Sequence, residues 1–276
     1  MQVNNILSAN RFGAYFKKHL VDNYRFYILS LIVLTGILLI ALLFVLFIGP
    51  NINLYSDLLP SYLVGLYVAG LLFTSKSFNE LGNKPQGMDY LLLPASHLEK
   101  FLTTLLITTI GFLIVYHAAF FLAVKAGESI LFIRKGTHLI NDLAYSKPET
   151  WIVNYYLWFI AQAILLMGTL YFNKYSFIKT FFCFFLFIAG MYFINSIFAE
   201  IFFHKYMADW KQQFPFIGIN ILLPLKMEAG ITEYTNNFVM LGLPKKAWQP
   251  LLFAGKYFIP PILWTVAYFK LRDKEI

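Results

Sequence analysis

Glu200 and His204 stand at i and i+4 in the segment AEIFFHK. That spacing puts a carboxylate and an imidazole on one helix face, where they can share a metal ion or pass a proton. Two ligands are one or two short of a metal site, and the pair lies at the end of an apolar run where water is near, so a solvated or salt-paired couple is the plainer reading. His117, in IVYHAAF, is alone in another apolar run and reads as a histidine hydrogen-bonded to a neighbouring helix. Gln162, Asn195 and Thr180 read the same way. Cys183 is the single cysteine, which excludes an intrachain disulfide and reads as a small buried or lipid-facing residue. Gly82 and Gly87 in GNKPQGMD have phosphate-loop spacing, but Met88 and Asp89 follow where Lys and Ser or Thr are needed. There is no HExxH, GxSxG or Cys/His cluster. The expectation is a chain with no catalytic, cofactor or metal residues of its own.

What must position these side chains is a set of six apolar runs, about 27–48, 58–75, 101–124, 151–172, 180–199 and 248–269. Each approaches the roughly 20 residues a helix needs to cross a hydrocarbon core. Hydrophobic residues make up 59% of the chain and charged residues 13%, with mean hydropathy +0.64. Soluble domains carry roughly 25% charge. In lipid no water satisfies backbone N–H and C=O groups, so continuous runs of this length are helices. The expected fold is all-α: a polytopic membrane protein of one transmembrane domain, 1–276, built as a six-helix bundle. The first run is too long for a signal-peptide core and is expected to remain as an anchor. Trp151, Trp158, Trp248 and Trp264 fall at or near run ends, as interfacial belts do.

Outside the runs, Phe12, Phe16 and Leu20 recur every four residues beside Arg11 and Lys18, which predicts an interfacial helix over 5–23. The apolar stretch FPFIGINILLPL is too short to cross and reads as re-entrant or interfacial, ahead of the last span. In that span Lys256 is near enough to the boundary to snorkel, and Pro260-Pro261 is expected to kink or break the helix. Twelve Lys and Arg flank one side of the bundle and ten the other. The twelve lie in short segments pressed against span ends, where the positive-inside rule acts best, so both termini are placed in the cytoplasm. The localisation is a cell membrane, the inner membrane in a bacterium. The net charge of +8 suits contact with membrane lipid, and nothing resembles a nucleic-acid surface.

Between the second and third runs lies SKSFNELGNKPQGMDYLLLPASHLEKF. An apolar stretch ends at Pro94, and Ser96 and Glu99 have the S-x-x-E spacing of a capping box. A short helix or turn along the membrane, a break, and a capped helix entering the bilayer follow. With this loop, with NRFGAYFKKHL before the first run and with the terminal WTVAYFKLRDKEI, the chain resembles the membrane-spanning permease subunits of type-2 ABC transporters. The resemblance implies a coupling helix in this loop, a separate ATPase subunit that binds the ATP, and a second permease copy, identical or different. It further implies that the ATPase docks on residues 78–93. Phe78 begins that segment, Asn79, Glu80, Lys84 and Asp89 would supply polar contacts, and Tyr90, Leu91, Leu92 and Leu93 would fill an apolar groove. Two other readings stand beside it. One is a membrane assembly or sensory component without transport. The other is a membrane-embedded enzyme resting on Glu200, His204 and His117.

Overall fold

Buried positions recur every four residues along the first helices, and that repeat sets the packing. The computed structural model describes residues 7–48, 55–82, 84–136, 138–139, 148–172, 174–203, 218–222, 238–242 and 245–274. Helix α1, Ala9–Asp22, ends at Asn23, whose backbone N–H bonds the His19 carbonyl. Helix α2, Tyr24–Ile48, follows after that one residue. Helix α3 is Leu59–Ser75, entered through a single tight turn at Tyr55–Leu58 and with Pro60 in its first turn, where a missing N–H costs nothing. A second tight turn, Asn79–Gly82, leads to the short helix α4, Lys84–Leu92. Helix α5, His97–Leu106, passes through one π turn, Ile107–Gly111, into α6, Phe112–Lys135. Helices α7, Pro148–Tyr171, and α8, Ser176–Phe203, come next. Strand β1, Gly218–Leu222, pairs antiparallel with β2, Phe238–Gly242, and Gly218 lies opposite Gly242. Helix α9 is Lys245–Arg272.

Among the described residues four helical stretches are long and apolar enough to cross a membrane: Tyr24–Phe47, His97–Arg134, Trp151–Tyr171 and Ser176–Phe198. Leu59–Ser75 is apolar but shorter. The helices overrun the apolar runs at their polar ends. The connection expected to start at Lys125 is still helical to Lys135, because no breaker intervenes before Gly136, which takes the left-handed φ of 66° that ends helices cheaply. The run through Pro260-Pro261 is not broken: α9 continues past both prolines, and Thr265 Oγ1 donates to the Pro261 carbonyl. The apolar stretch expected to be re-entrant or interfacial holds strand β1 at its centre, and apart from β1 and β2 the regular elements among the described residues are helical. β-branched Ile219 and Ile221 suit the extended backbone.

The chain divides into two compact units. The first holds residues 1–177 and 259–276. Its main core stacks Leu38, Leu42 and Leu46 of α2, Tyr62 and Leu66 of α3, Phe112, Tyr116, Ala119 and Ala123 of α6, and Trp158 of α7. Hydrocarbon offers no hydrophobic drive between helices, so close fit has to hold them together. Glycine provides the fit on α3. A Cβ at Gly65 would stand 2.6 Å from the Tyr116 hydroxyl, and one at Gly70 would stand 2.7 Å from Trp158 Nε1. The second unit, residues 178–258, holds most of α8, the hairpin and the start of α9. Along α8, Phe181, Phe182, Phe185 and Phe187 are exposed, the pattern of a surface meant for lipid.

Candidate functional site

Helix α5 begins at Ser96, whose hydroxyl accepts from the Glu99 N–H at 3.2 Å while Glu99 Oε2 accepts from the Ser96 N–H at 2.8 Å. The capping box expected from the spacing is formed. Glu99 does more than cap. Its carboxylate, fully buried, accepts from the Ser8 N–H at 2.8 Å and from Arg11 Nε and Nη2, each at 2.8 Å. Four donors thus converge on one carboxylate, joining the start of α1 to the start of α5. A charge that has left water persists only when its lone pairs are taken up in this way.

The next residue, Lys100, is also buried, and its Nζ donates to the Tyr90 carbonyl at 2.7 Å while lying 5.2 Å from the Tyr90 ring centre. It thereby satisfies a carbonyl in the last turn of α4, the negative end of that helix. Around it Phe78, Leu81, Tyr90 and Phe101 pack with Leu166 and Leu170 of α7 and with Ala267 and Leu271 of α9. Lys274 Nζ donates to the Leu170 carbonyl at 3.2 Å and ties the end of α9 to that of α7. Helix α4 is therefore bolted onto a core shared by α5, α7 and α9.

Of the residues expected to meet a partner, Phe78 and Tyr90 face inward and belong to this core. Asn79 is exposed, Leu92 is 81% exposed, and Leu93 is half-buried. The side chains of Glu80, Lys84, Asp89 and Leu91 lie outside the described residues, as do His204 and the side chain of Lys256. Among the described side chains of this loop, Leu92 and half-exposed Met88 offer an apolar contact outward. Phe78 and Tyr90 stiffen the loop from beneath.

Polar residues inside the helices pair with neighbouring helices. His117 Nδ1 donates to the Leu113 carbonyl at 2.6 Å, which leaves the single lone pair of Nε2 to accept from one of two nearby hydroxyls, Tyr62 at 2.9 Å or Tyr155 at 2.7 Å. Those hydroxyls are 2.6 Å apart. Gln162 donates to Thr108 Oγ1 at 3.2 Å, inside the π turn, and accepts from Trp264 Nε1 at 3.1 Å. His117 and Gln162 match the reading from sequence. Thr180 Oγ1 and Asn195 Nδ2 do not: neither has a hydrogen-bond partner among the described residues. Glu200 is exposed, and among the described residues no three His, Cys, Asp or Glu side chains gather as a metal site would require.

Arg11, Lys100 and the π turn were not anticipated as parts of one site. The signal for the first two was present in the adjacent pair Glu99-Lys100 at the mouth of an apolar run, where two charges need partners.

Comparison with family models, with curated proteins and with solved structures returns no match. Fold and site define the class at a coarser level. This is a helical, membrane-embedded protein with transmembrane helices and, at one end of its bundle, a helical loop fastened by buried charges.

Proposed function

We propose that this chain is the membrane-spanning permease subunit of an ABC transporter. It would move an amphipathic substrate with ATP hydrolysed on a separate ATPase subunit, and it would work beside a second permease copy. In this reading α2, α3, α5 with α6, α7, α8 and α9 are six spans. Both termini and α4 face the cytoplasm, and the stretch around β1 lies at the outer interface before the last span. One observation supports it above others: α4 is fixed to the start of α5 by Lys100 and by the core of Phe78, Tyr90 and Phe101. A push delivered to α4 has no slack to take up before it reaches a membrane-crossing helix. Packed cores respond to such a push by switching arrangement, which is what alternating access requires.

A photo-reactive amino acid at Leu92, irradiated in native membranes, is expected to capture a chain with a nucleotide-binding cassette. Reversing the charges of Glu80 and Lys84 together is expected to abolish that capture and to uncouple ATP hydrolysis from transport, with membrane insertion unchanged. Capture of a chain that binds no nucleotide, or undiminished capture by the charge-reversed protein, overturns the proposal.

A further inference from the structure

A cavity of about 90 Å³ opens where the α1–α2 corner meets the end of α3 and the π turn between α5 and α6. Besides His19, Tyr27 and Lys76, its polar wall holds four groups, Asn23, Ser77, Thr104 and Thr108. Each of these has already committed its protons. Thr104 donates to the Lys100 carbonyl at 3.1 Å, Thr108 to the Thr104 carbonyl at 2.8 Å, and Ser77 to the Thr74 carbonyl at 2.6 Å. The Asn23 amide nitrogen faces His19 Nδ1 at 2.8 Å and the His19 carbonyl at 3.1 Å. What remains to these four groups is oxygen lone pairs, one of them on Thr108 Oγ1 already taken by the Gln162 amide, so this part of the wall accepts hydrogen bonds. The rings of Phe26 and Phe73 also line it. Oxygen acceptors in a cavity lined by aromatic rings suit a small ammonium ion.

Donors line the cavity as well, on other groups. Because Nδ1 of His19 accepts, its ring proton is on Nε2, and Lys76 is exposed with Nζ 5.9 Å from the Phe26 ring centre. Burial lowers the His19 imidazole from its ordinary value, with the Asp22 carboxylate opposing, so the ring is neutral and donates without repelling a cation. Asn23 and Lys76 both lie at helix ends, the level of lipid head groups. One or two turns further, Leu29, Ile32 and Val33 of α2 are exposed and apolar, a path for acyl chains.

From this division of donors and acceptors we infer a binding site for a phospholipid whose head group ends in a primary ammonium, with the ammonium among the Thr104, Thr108, Ser77 and Asn23 oxygens and the phosphate against Lys76 and His19. The site is independent of what α4 binds, and it requires only that the bundle be in a membrane.

Native mass spectrometry of the detergent-purified protein, titrated with phosphatidylethanolamine or phosphatidylcholine of identical chains, tests it. Wild type should prefer the ethanolamine lipid by about tenfold, the worth of one hydrogen bond to a charged group. Thr104→Val, which keeps shape and removes the acceptor, should erase that preference, whereas Lys76→Gln should weaken both lipids alike. Thr35→Val, on the exposed side of α2, should change neither; size-exclusion profiles check that each variant is folded. Equal binding of the two lipids by wild type, or an intact preference in folded Thr104→Val, refutes the inference. Free phosphoethanolamine competing as well as the lipid refutes the lipid as ligand.

Discussion

Glu99 shows how one side chain can serve two levels of structure. As the third residue of α5 it satisfies a backbone donor that no helix can satisfy for itself, and as the partner of Ser8 and Arg11 it holds a second helix in place. Glu99→Ala leaves the half-buried N–H groups of Ser8 and Ser96 without an acceptor. It is expected to cost about 2 kcal/mol or more, measured as a lower unfolding midpoint in detergent. Arg11→Gln should cost less, because the guanidinium is about a third exposed and water replaces part of what is lost. Equal loss in the two variants would place the stabilisation in the ion pair alone and not in the cap.

At the scale of elements, α4 is too short to be stable by itself, since isolated helices below about 12–15 residues are marginal in water. Its order comes from what it rests on: Lys100 beneath its last turn and the inward-facing Phe78 and Tyr90. Lys100→Met keeps the stem and removes the donor and charge. Hydrogen exchange of α4 should then speed up while that of α6 and α7 stays unchanged. Unaltered protection of α4 would mean that the aromatic core alone secures it. The π turn is a second element-level feature. Its hydroxyl-rich sequence, Thr108-Thr109, bonds back to the Thr104 and Leu105 carbonyls and opens a position for Gln162 of α7.

For the whole molecule, the contacts of Ser8 and Arg11 with Glu99 put α1 and the α4 loop at the same end of the bundle, whatever its orientation in the cell. Ser129, near the far end of α6, lies about 45 Å along the helix from Glu99 at 1.5 Å per residue, more than a bilayer core. In a Cys183→Ser background, Ser8→Cys and Leu92→Cys should therefore react with a membrane-impermeant thiol reagent from one face, and Ser129→Cys from the other. On the orientation proposed above, the first two react only after the membrane is opened. Labelling of Leu92→Cys and Ser129→Cys from the same face would show that α5 and α6 do not cross.

The order of apolar and polar segments was enough to read a helical membrane protein, the helix ahead of the first span and the cap at Ser96 and Glu99, because these depend on residues within a few positions of one another. Their place in apolar runs likewise pointed His117 and Gln162 to partners on other helices, while the same reading did not hold for Thr180 Oγ1 and Asn195 Nδ2. Three features needed the fold. Arg11 and Glu99 are 88 residues apart, and only packing of α1 against α5 makes them a pair. Phe78 and Tyr90 look like an outward apolar surface in sequence, and only the third layer from α7 and α9 turns them inward. The acceptor side of the cavity beside Asn23 was hidden because Ser and Thr carry donor and acceptor alike, and which remains is decided by the carbonyl each hydroxyl has already found.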